Sequence, residues 1–318
     1  MRLKELFNLP KSFVAPALHS FAFAAGLSTA RAKAIHTGRI LCLHGVGDDH
    51  CPATILEAQL AWLTKHFSIV SLGTFPDRLA AGKLTSEIAL TFDDGLRNNF
   101  TAAYPLLKKF NAPATFFVCP GLVESQRWLW NQEARARLQV LSDSERRKLA
   151  SQWQAGINDD LEEIVEWMKT LPLERRRDRE REVRELTGHF QASDAQRQTY
   201  DTMNWDELRS LDPELIAIGS HTFNHPILTT LSPDELRFEI AESRRSLEEK
   251  LGRKVEYFCY PNGVFNPAVV EQTRRVYTAA VTAESGFVTP GTDRHCLPRI
   301  GSPESLPLLA WRMHRPTA

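Results

Sequence analysis

Two adjacent carboxylates, Asp93 and Asp94, end the apolar run Ile88-Ala-Leu-Thr-Phe92 and are followed by Gly95. Side by side, two ionised acids repel unless a cation or a proton is shared between them. A second candidate stretch, Gly219-Ser-His-Thr-Phe-Asn-His-Pro226, follows another apolar run, Leu215-Ile-Ala-Ile218. Histidines four apart often share a helix face, but Pro226 directly after His225 disfavours helical backbone there. Both histidines are therefore placed on a loop at a strand end. One carboxylate and two imidazoles make a three-ligand set suited to zinc, with a fourth position left for water. Taken alone, Asp-Gly is also a strand-ending turn, and a lone histidine is also a packing residue. Two acids and two histidines, each pair at a strand end, favour a metal site over either.

The elements that must position these residues follow from pattern. Ile88-Ala-Leu-Thr-Phe92 fits a strand covered on both faces, which delivers the acids at its C-terminal end, where α/β folds place their chemistry. Arg39-Ile-Leu-Cys-Leu-His-Gly45 reads as a first strand ending on His44, whose ring either packs or does chemistry. Helical spacing over 54–66, a short strand at 69–72, helices at 74–81 and 99–110, and a strand at 114–118 repeat one strand-helix-strand unit. Such repetition argues for a parallel α/β barrel. Capping-box sequences at 204–207 and 232–235 restart the helices, the second running through Lys250 to Gly252. Strands follow near 256–260, 278–282 and 296–300.

Between 124 and 200 the composition changes: charges crowd together, while Gly and β-branched residues thin out. Ser142-Asp-Ser-Glu145 is a capping box, Asn158 or Asp159 can cap a next helix, and Pro172 opens a third that stops at Gly188. The run Arg175 to Arg181 either binds an anion or, as alternating signs usually do, forms a solvated helix face. The expected organisation is an N-terminal helical segment (1–38), a barrel (39–302) interrupted by a helical insertion (124–200), and a C-terminal tail (303–318).

Residues 13–26, with Arg2, Lys4 and Lys11 before them and Ser28-Thr-Ala-Arg-Ala32 after, have some features of a secretory signal. Pro16, His19 and Ser20 interrupt the apolar part, and the segment is too short to span a bilayer. An amphipathic helix on the domain or on a membrane surface is preferred. Lys plus Arg and Asp plus Glu are both 39, so no overall field attracts nucleic acid or an anionic membrane. Five cysteines, an odd number without Cys-x-x-Cys spacing, read as small core residues in a reducing compartment rather than a zinc-thiolate site. The expected location is the cytoplasm, with peripheral membrane contact through 1–38 or export as alternatives. The sequence carries no signal of oligomeric state.

Thr91-Phe-Asp-Asp-Gly95 together with Ser220-His-Thr-Phe-Asn-His-Pro226 resembles the polysaccharide deacetylases, carbohydrate esterase family four with its NodB-homology domain. The likeness extends to Phe258-Cys-Tyr-Pro-Asn-Gly263, to Leu41-Cys-Leu-His44 and to Leu297-Pro-Arg-Ile300. The resemblance implies a distorted (β/α) barrel and zinc- or other divalent-metal-dependent removal of an N-acetyl group from an amino sugar. It assigns Asp94, His221 and His225 to the metal and Asp93 to the base. Because a histidine-ended strand precedes the other motifs, it points to the circularly permuted branch, with His44 as general acid.

Where many family members carry Arg-Pro-Pro-Tyr, this chain has Cys259-Tyr-Pro-Asn262, so no arginine there can orient Asp93. Arg299 is the candidate replacement, with a surface ion pair as its other reading. Tyr260, Pro261, Asn262 and Gly263 form the turn expected to supply a backbone N–H to the oxyanion. Trp128 and Trp130 are either a stacking platform for sugar rings or packing residues. The activity expected is that of a hydrolase acting on a non-peptide carbon–nitrogen bond of an N-acetylated glycan, polymeric or an intermediate. A deformylase or O-acetyl esterase acting on a sugar or sugar-lipid, and a catalytically silent carbohydrate-binding relative, are the alternatives.

Overall fold

A computed structural model describes residues 11–47, 51–83, 86–154 and 156–317, with side chains from residue 15 onward. Its strands are β1 (Arg39–Leu43), β2 (Ser68–Ile69), β3 (Glu87–Phe92), β4 (Ala114–Val118), β5 (Ile216–Ser220), β6 (Tyr257–Cys259), β7 (Ala279–Ser285) and β8 (Leu297–Gly301). All pair in parallel, and β1 joins both β8 and β3, so seven strands close into a barrel with β2 attached to the start of β3. The doubly covered strands expected from their apolar runs are observed, since β3 and β4 are buried along their whole lengths.

Alternation along each strand divides the core in two. Ile40, Ala89, Phe117, Cys259, Val281 and Leu297 fill the inside of the ring, with Leu72 and Phe75. Leu41, Leu90, Phe116, Ile218 and Phe258 pack outward against helix residues such as Leu60, Leu107, Leu247 and Leu309. The expected strand at 69–72 is accordingly shorter, because Leu72 leaves the sheet to join the interior cluster ahead of helix Thr74–Ala80. The helix expected over 99–110 opens with a π turn at Asn99–Ala103 before regular helix at Tyr104–Phe110.

The insertion is helical, as its composition suggested, and has its own core of Trp130, Leu138, Leu149, Trp153, Ile164, Met168 and Val183. Ser142 and Glu145 form the expected capping box, and Pro172 precedes helix Leu173–Leu186. The cap between them is Asp160 rather than Asn158 or Asp159: its side chain accepts from the Glu163 N–H at 3.0 Å. Residues 303–318, expected as a tail, instead contain helix Leu306–Arg312, with Leu309, Ala310 and Met313 buried. That helix packs on the N-terminal helices Lys11–Ala24 and Leu27–Ala34. Buried Arg39 ties the three pieces together by donating to the carbonyls of Met313 (2.8 Å) and Ala32 (2.7 Å). Helices Lys11–Ala24 and Leu27–Ala34 thus lie on the domain, although Leu18, Phe21 and Leu27 stay exposed. Arg2 and Lys4 lie outside the described residues, among which no helix is long and apolar enough to cross a membrane.

Glu133 organises the insertion's charges, accepting from Arg137 Nε (2.9 Å) and from Arg184 Nε and Nη2 (2.9 and 2.8 Å). Burial alone would raise its pKa, but Arg184 and Arg137 outweigh that and push it down from 4.5 to about 2. A carboxylate depressed on folding stabilises the protein above its unfolded pKa and loses that contribution as pH falls through the folded one. Glu133→Gln should therefore be less stable than the parent at pH 6 by roughly 2 kcal/mol, allowing for partial solvent screening. In thermal unfolding the gap should close between about pH 4.5 and 2; a gap constant across that window would contradict the assignment.

Candidate functional site

The alternation that fills the barrel also loads its mouth. Inward positions of β1, β3, β6 and β8, carried to the strand ends, are Cys42 and His44, Thr91 and Asp93, Cys259, and Arg299, while β5 delivers His221 just past its end. Asp93, 3% exposed, meets Arg299, 2% exposed, in a two-pronged pair: Nη1 to Oδ1 and Nη2 to Oδ2, both 2.7 Å. Arg299 is fixed in turn through Nε to the Thr282 carbonyl (2.7 Å) and Nη1 to Thr91 Oγ1 (3.0 Å). Burial would raise the Asp93 pKa, but the Arg299 charge and hydrogen bonds override it and hold the carboxyl well below the usual range. The surface-pair reading of Arg299 is thereby excluded. His44, mostly exposed, places Nε2 3.9 Å from Asp93 Oδ2.

Asp94 bends away from its neighbour because the chain turns left-handed there, at φ 75°, and again at Gly95, at φ 63°. A Cβ on residue 95 would also press on Val118 at 3.3 Å, so glycine fits both the conformation and the space. Asp94 Oδ1 stands 3.5 Å from His221 Nε2 and 3.5 Å from His225 Nε2, and all three side chains are buried. His221 Nδ1 lies 2.8 Å from the Cys259 carbonyl, which can only accept; the proton is thus set on Nδ1 and the Nε2 lone pair is turned toward Asp94. Burial, with His221 alongside, pushes the His225 pKa down to about 3, so that imidazole is neutral. Burial acts on His221 in the same direction, but Asp94 and Asp93 raise its pKa overall.

These separations test the fit of a cation. At 3.5 Å the contacts are too long for good hydrogen bonds. Ligands arranged tetrahedrally about zinc at ~2.0–2.2 Å stand roughly 3.3–3.5 Å from one another. Asp94, His221 and His225 therefore fit a zinc-like ion, and their ligand atoms cluster as one group. His225 Nδ1 is buried without an acceptor, so only His221 has the outer support usual for a histidine ligand.

The loop carrying the histidines is strained and anchored. Thr222 and His225 both have positive φ, 67° and 58°, conformations unfavourable for these residue types unless the surroundings enforce them. Thr222 Oγ1 accepts from the His225 N–H at 2.9 Å. Buried Glu239 accepts from the N–H groups of Phe223 (2.9 Å) and Asn224 (2.8 Å) and from Asn224 Nδ2 (2.9 Å). Cys42 and Cys259 are further neighbours, their sulfurs 3.7 and 3.4 Å from Asp93 Oδ2. In sequence both cysteines look like small core residues, and nothing local distinguishes Glu239 from the other acids of its helix.

A cleft of about 810 Å³ opens over the site, lined by His44, Asp94, Gln132, Tyr200, Ser305 and Leu308 among others. Several expected substrate-binding residues are not on it. Trp128 donates to Asp201 Oδ1 (2.7 Å) and meets Tyr200 edge-on at 5.2 Å, while Trp130 lies under the Arg176 guanidinium at 4.4 Å. Both rings are buried and serve packing, not an open stacking platform. Tyr260 has outward parity, opposite to Cys259; its ring is buried on Phe265 and its hydroxyl donates to the His295 carbonyl at 2.9 Å. Pro261 is also buried. In this turn the N–H of Tyr260 is bonded to Val281 and that of Gly263 to Tyr260, and Asn262, exposed at φ 55°, has the one N–H not so used.

The family model described as "Polysaccharide deacetylase" matches residues 82–175 and 182–281. YxkH of Bacillus subtilis (strain 168) is 20% identical over 268 residues, spanning 82% of this chain and 70% of YxkH. The fold is similar to that of the Streptococcus pyogenes deacetylase PplD in complex with acetate, with a TM-score of 0.60 and 18% identity across 87% of this chain and 98% of that one. It is also similar to IcaB from Ammonifex degensii, with a TM-score of 0.58 and 20% identity across 88% and 98%.

Replacing Glu239 by alanine leaves three donors of the histidine loop without acceptors, at about 1–3 kcal/mol for each one that stays dry. In competition with a chromophoric chelator, Glu239→Ala should bind zinc about 10- to 100-fold more weakly while remaining folded by circular dichroism. Undiminished affinity would show that the loop holds its shape without Glu239.

Proposed function

Because the chain belongs to the polysaccharide deacetylase family, and so is a hydrolase that deacetylates a polysaccharide, we propose that the barrel mouth removes the N-acetyl group from an amino sugar of a polysaccharide or glycan intermediate, with Asp93 as base and His44 as acid. The observation that carries this reading is the paired 3.5 Å separation of Asp94 from His221 and His225, directly beside an Asp93 clamped by Arg299.

Asp94, His221 and His225 would hold a divalent cation, zinc in preference although such a donor set accepts others. When bound, it supplies Lewis acidity to water and to the acyl carbonyl. Asp93, kept ionised by Arg299, accepts the proton that the attacking water gives up. The carbonyl carbon gains an oxygen, and charge builds on the former carbonyl oxygen, toward which the unused Asn262 N–H is the available backbone donor. The C–N bond then breaks, and His44, in its imidazolium form, passes a proton from Nε2 to the departing amine. The products are acetate and the free amino sugar. Arg299 performs, from β8, the orienting task that Cys259 cannot.

A formamide or an O-acetyl ester would engage the same groups, and a silent binding relative would have no use for a clamped base beside a ligand triad. Acetate release from N-acetylglucosamine oligomers and other acetylated glycans, with zinc added, separates these readings. The parent should release acetate, and Asp93→Asn and His221→Ala should each lose at least about 100-fold in kcat. Arg299→Lys, unable to make the two-pronged contact, should lose at least about tenfold. Release only from formylated or O-acetylated substrates would move the assignment to those bonds. A parent that binds no metal and releases nothing would leave only a binding module.

A further inference from the structure

The charged run in the insertion is more than a solvated face. Helix Leu173–Leu186 covers a cavity of about 290 Å³, distinct from the catalytic cleft, lined by Arg127, Arg176, Arg177, Arg181 and Arg184 with Glu180 as the only acid. Trp128, edge-on to Tyr200, lines the cavity while Tyr200 lines the cleft, so this ring contact divides the two spaces. Asn224, which lies between the two candidate histidine ligands in sequence, also lines it.

Neighbouring acids do not neutralise this lining. Glu180 serves Arg176 at 3.0 Å and Arg184 at 3.3 Å. Glu133 serves Arg184, Arg137 and, at 3.5 Å, Arg127. Asp178 pairs with Arg181, and Arg177 has no ion pair among the described residues. Six guanidiniums thus face three carboxylates. Glu239, whose field reaches Arg176 and Arg177, and Glu235, whose field reaches Arg177, reduce the surplus to one, but the oxygens of Glu239 are already occupied by the histidine loop and Glu235 caps its own helix through Ser232.

The hydrogen bonding points the same way. Arg176 is 3% exposed, yet only its Nε donates to a protein acceptor. Trp130, 5% exposed and lining the same space, has a buried indole N–H with no acceptor. A buried indole donor without an acceptor, beside an Arg176 whose Nη groups bond to none of the described residues and in a cavity with surplus positive charge, calls for an oxygen-rich anion. Guanidinium forks suit the geometry of phosphate and carboxylate.

We propose that this cavity binds a phosphate or carboxylate group beside the histidine loop. The group comes either free from solution or as a substituent of the glycan, and none of Asp94, His221 and His225 lines the cavity, so its capture does not require the catalytic cation.

Isothermal titration of the whole zinc-loaded protein with inorganic phosphate at low salt tests this. Saturable binding at one site per chain is expected in the parent and in His221→Ala, with affinity at least about tenfold weaker in Arg177→Ala and in Trp130→Phe. Arg177 is exposed and outside the insertion's core, and Trp130→Phe keeps an aromatic side chain in that core while removing the indole N–H, so both variants should fold, which circular dichroism checks. No binding by the parent up to about 10 mM phosphate overturns the proposal. So does affinity unchanged in both variants, or binding lost in His221→Ala alone, which would place the anion on the metal site. A second arm identifies the source. If acetylated oligosaccharides bearing phosphoryl or carboxylate groups are deacetylated faster than neutral ones, and Arg177→Ala removes that preference, the anion is carried by the substrate. Equal rates with phosphate binding intact identify a free anion.

Discussion

The buried pair between Asp93 and Arg299 is the interaction on which the rest of the barrel mouth depends. Two ions taken out of water are tolerated only when each satisfies the other, and losing one strands the other at a cost of about 3–5 kcal/mol. The strands that carry them, β3 and β8, are not neighbours; β1 lies between and pairs with both. The pair therefore exists only if the ring closes through β1. It crosses above an inward position of that strand, where the residue is Cys42, whose sulfur sits 3.7 Å from Asp93 Oδ2. A small side chain at 42 leaves room for the guanidinium. Thr91 completes the junction by donating to the Leu41 carbonyl at 2.6 Å while accepting from Arg299.

Beside this rigid pair stands a loop that cannot hold itself. Positive φ at Thr222 and His225, like that at Asp94, brings three ligand-capable atoms together at a backbone cost that local sequence does not offset. The offset is tertiary: Glu239 on one side, the Cys259 carbonyl on the other, and Asn224 at the boundary of the insertion. Two carboxylates adjacent in sequence thus acquire different environments, Asp93 facing a permanent cation and Asp94 facing two imidazoles. Such a division of environments is what separates a base from a ligand.

What was legible in the sequence follows a simple rule. Apolar runs ending in polar motifs, the repeated strand-helix unit and the resemblance to the deacetylases were enough to find the barrel, the acid and histidine stretches, and Arg299. Parity carried one residue beyond β6 would also have shown Tyr260 facing away from Cys259, and hence away from the cleft. Other features had no local signal. Glu239 reads as one more acid in a charged helix, and only folding brings it under the histidine loop. Trp128 and Trp130 look like sugar-stacking residues in a string of letters, but a helical insertion without enough aliphatic residues needs such rings for its own packing. The segment after 303 is short and proline-marked, and only the N-terminal helices supply the apolar surface that makes it a helix.

The insertion therefore acts on the site through its walls. Its exit is clipped to the acidic motif, with the Arg97 N–H donating to the Asp201 carbonyl at 2.7 Å and the Met203 N–H to the Gly95 carbonyl at 3.0 Å. The same Asp201 holds the Trp128 indole through its side chain. A segment held at the motif and at its own core is positioned relative to Asp94, and it contributes Gln132, Thr199 and Tyr200 to the lining of the cleft. Further lining, from Ser302 to Leu308, belongs to the C-terminal helix and its approach. Substrate selection is then a matter of which glycans fit between two walls, both built outside the strands that carry the chemistry.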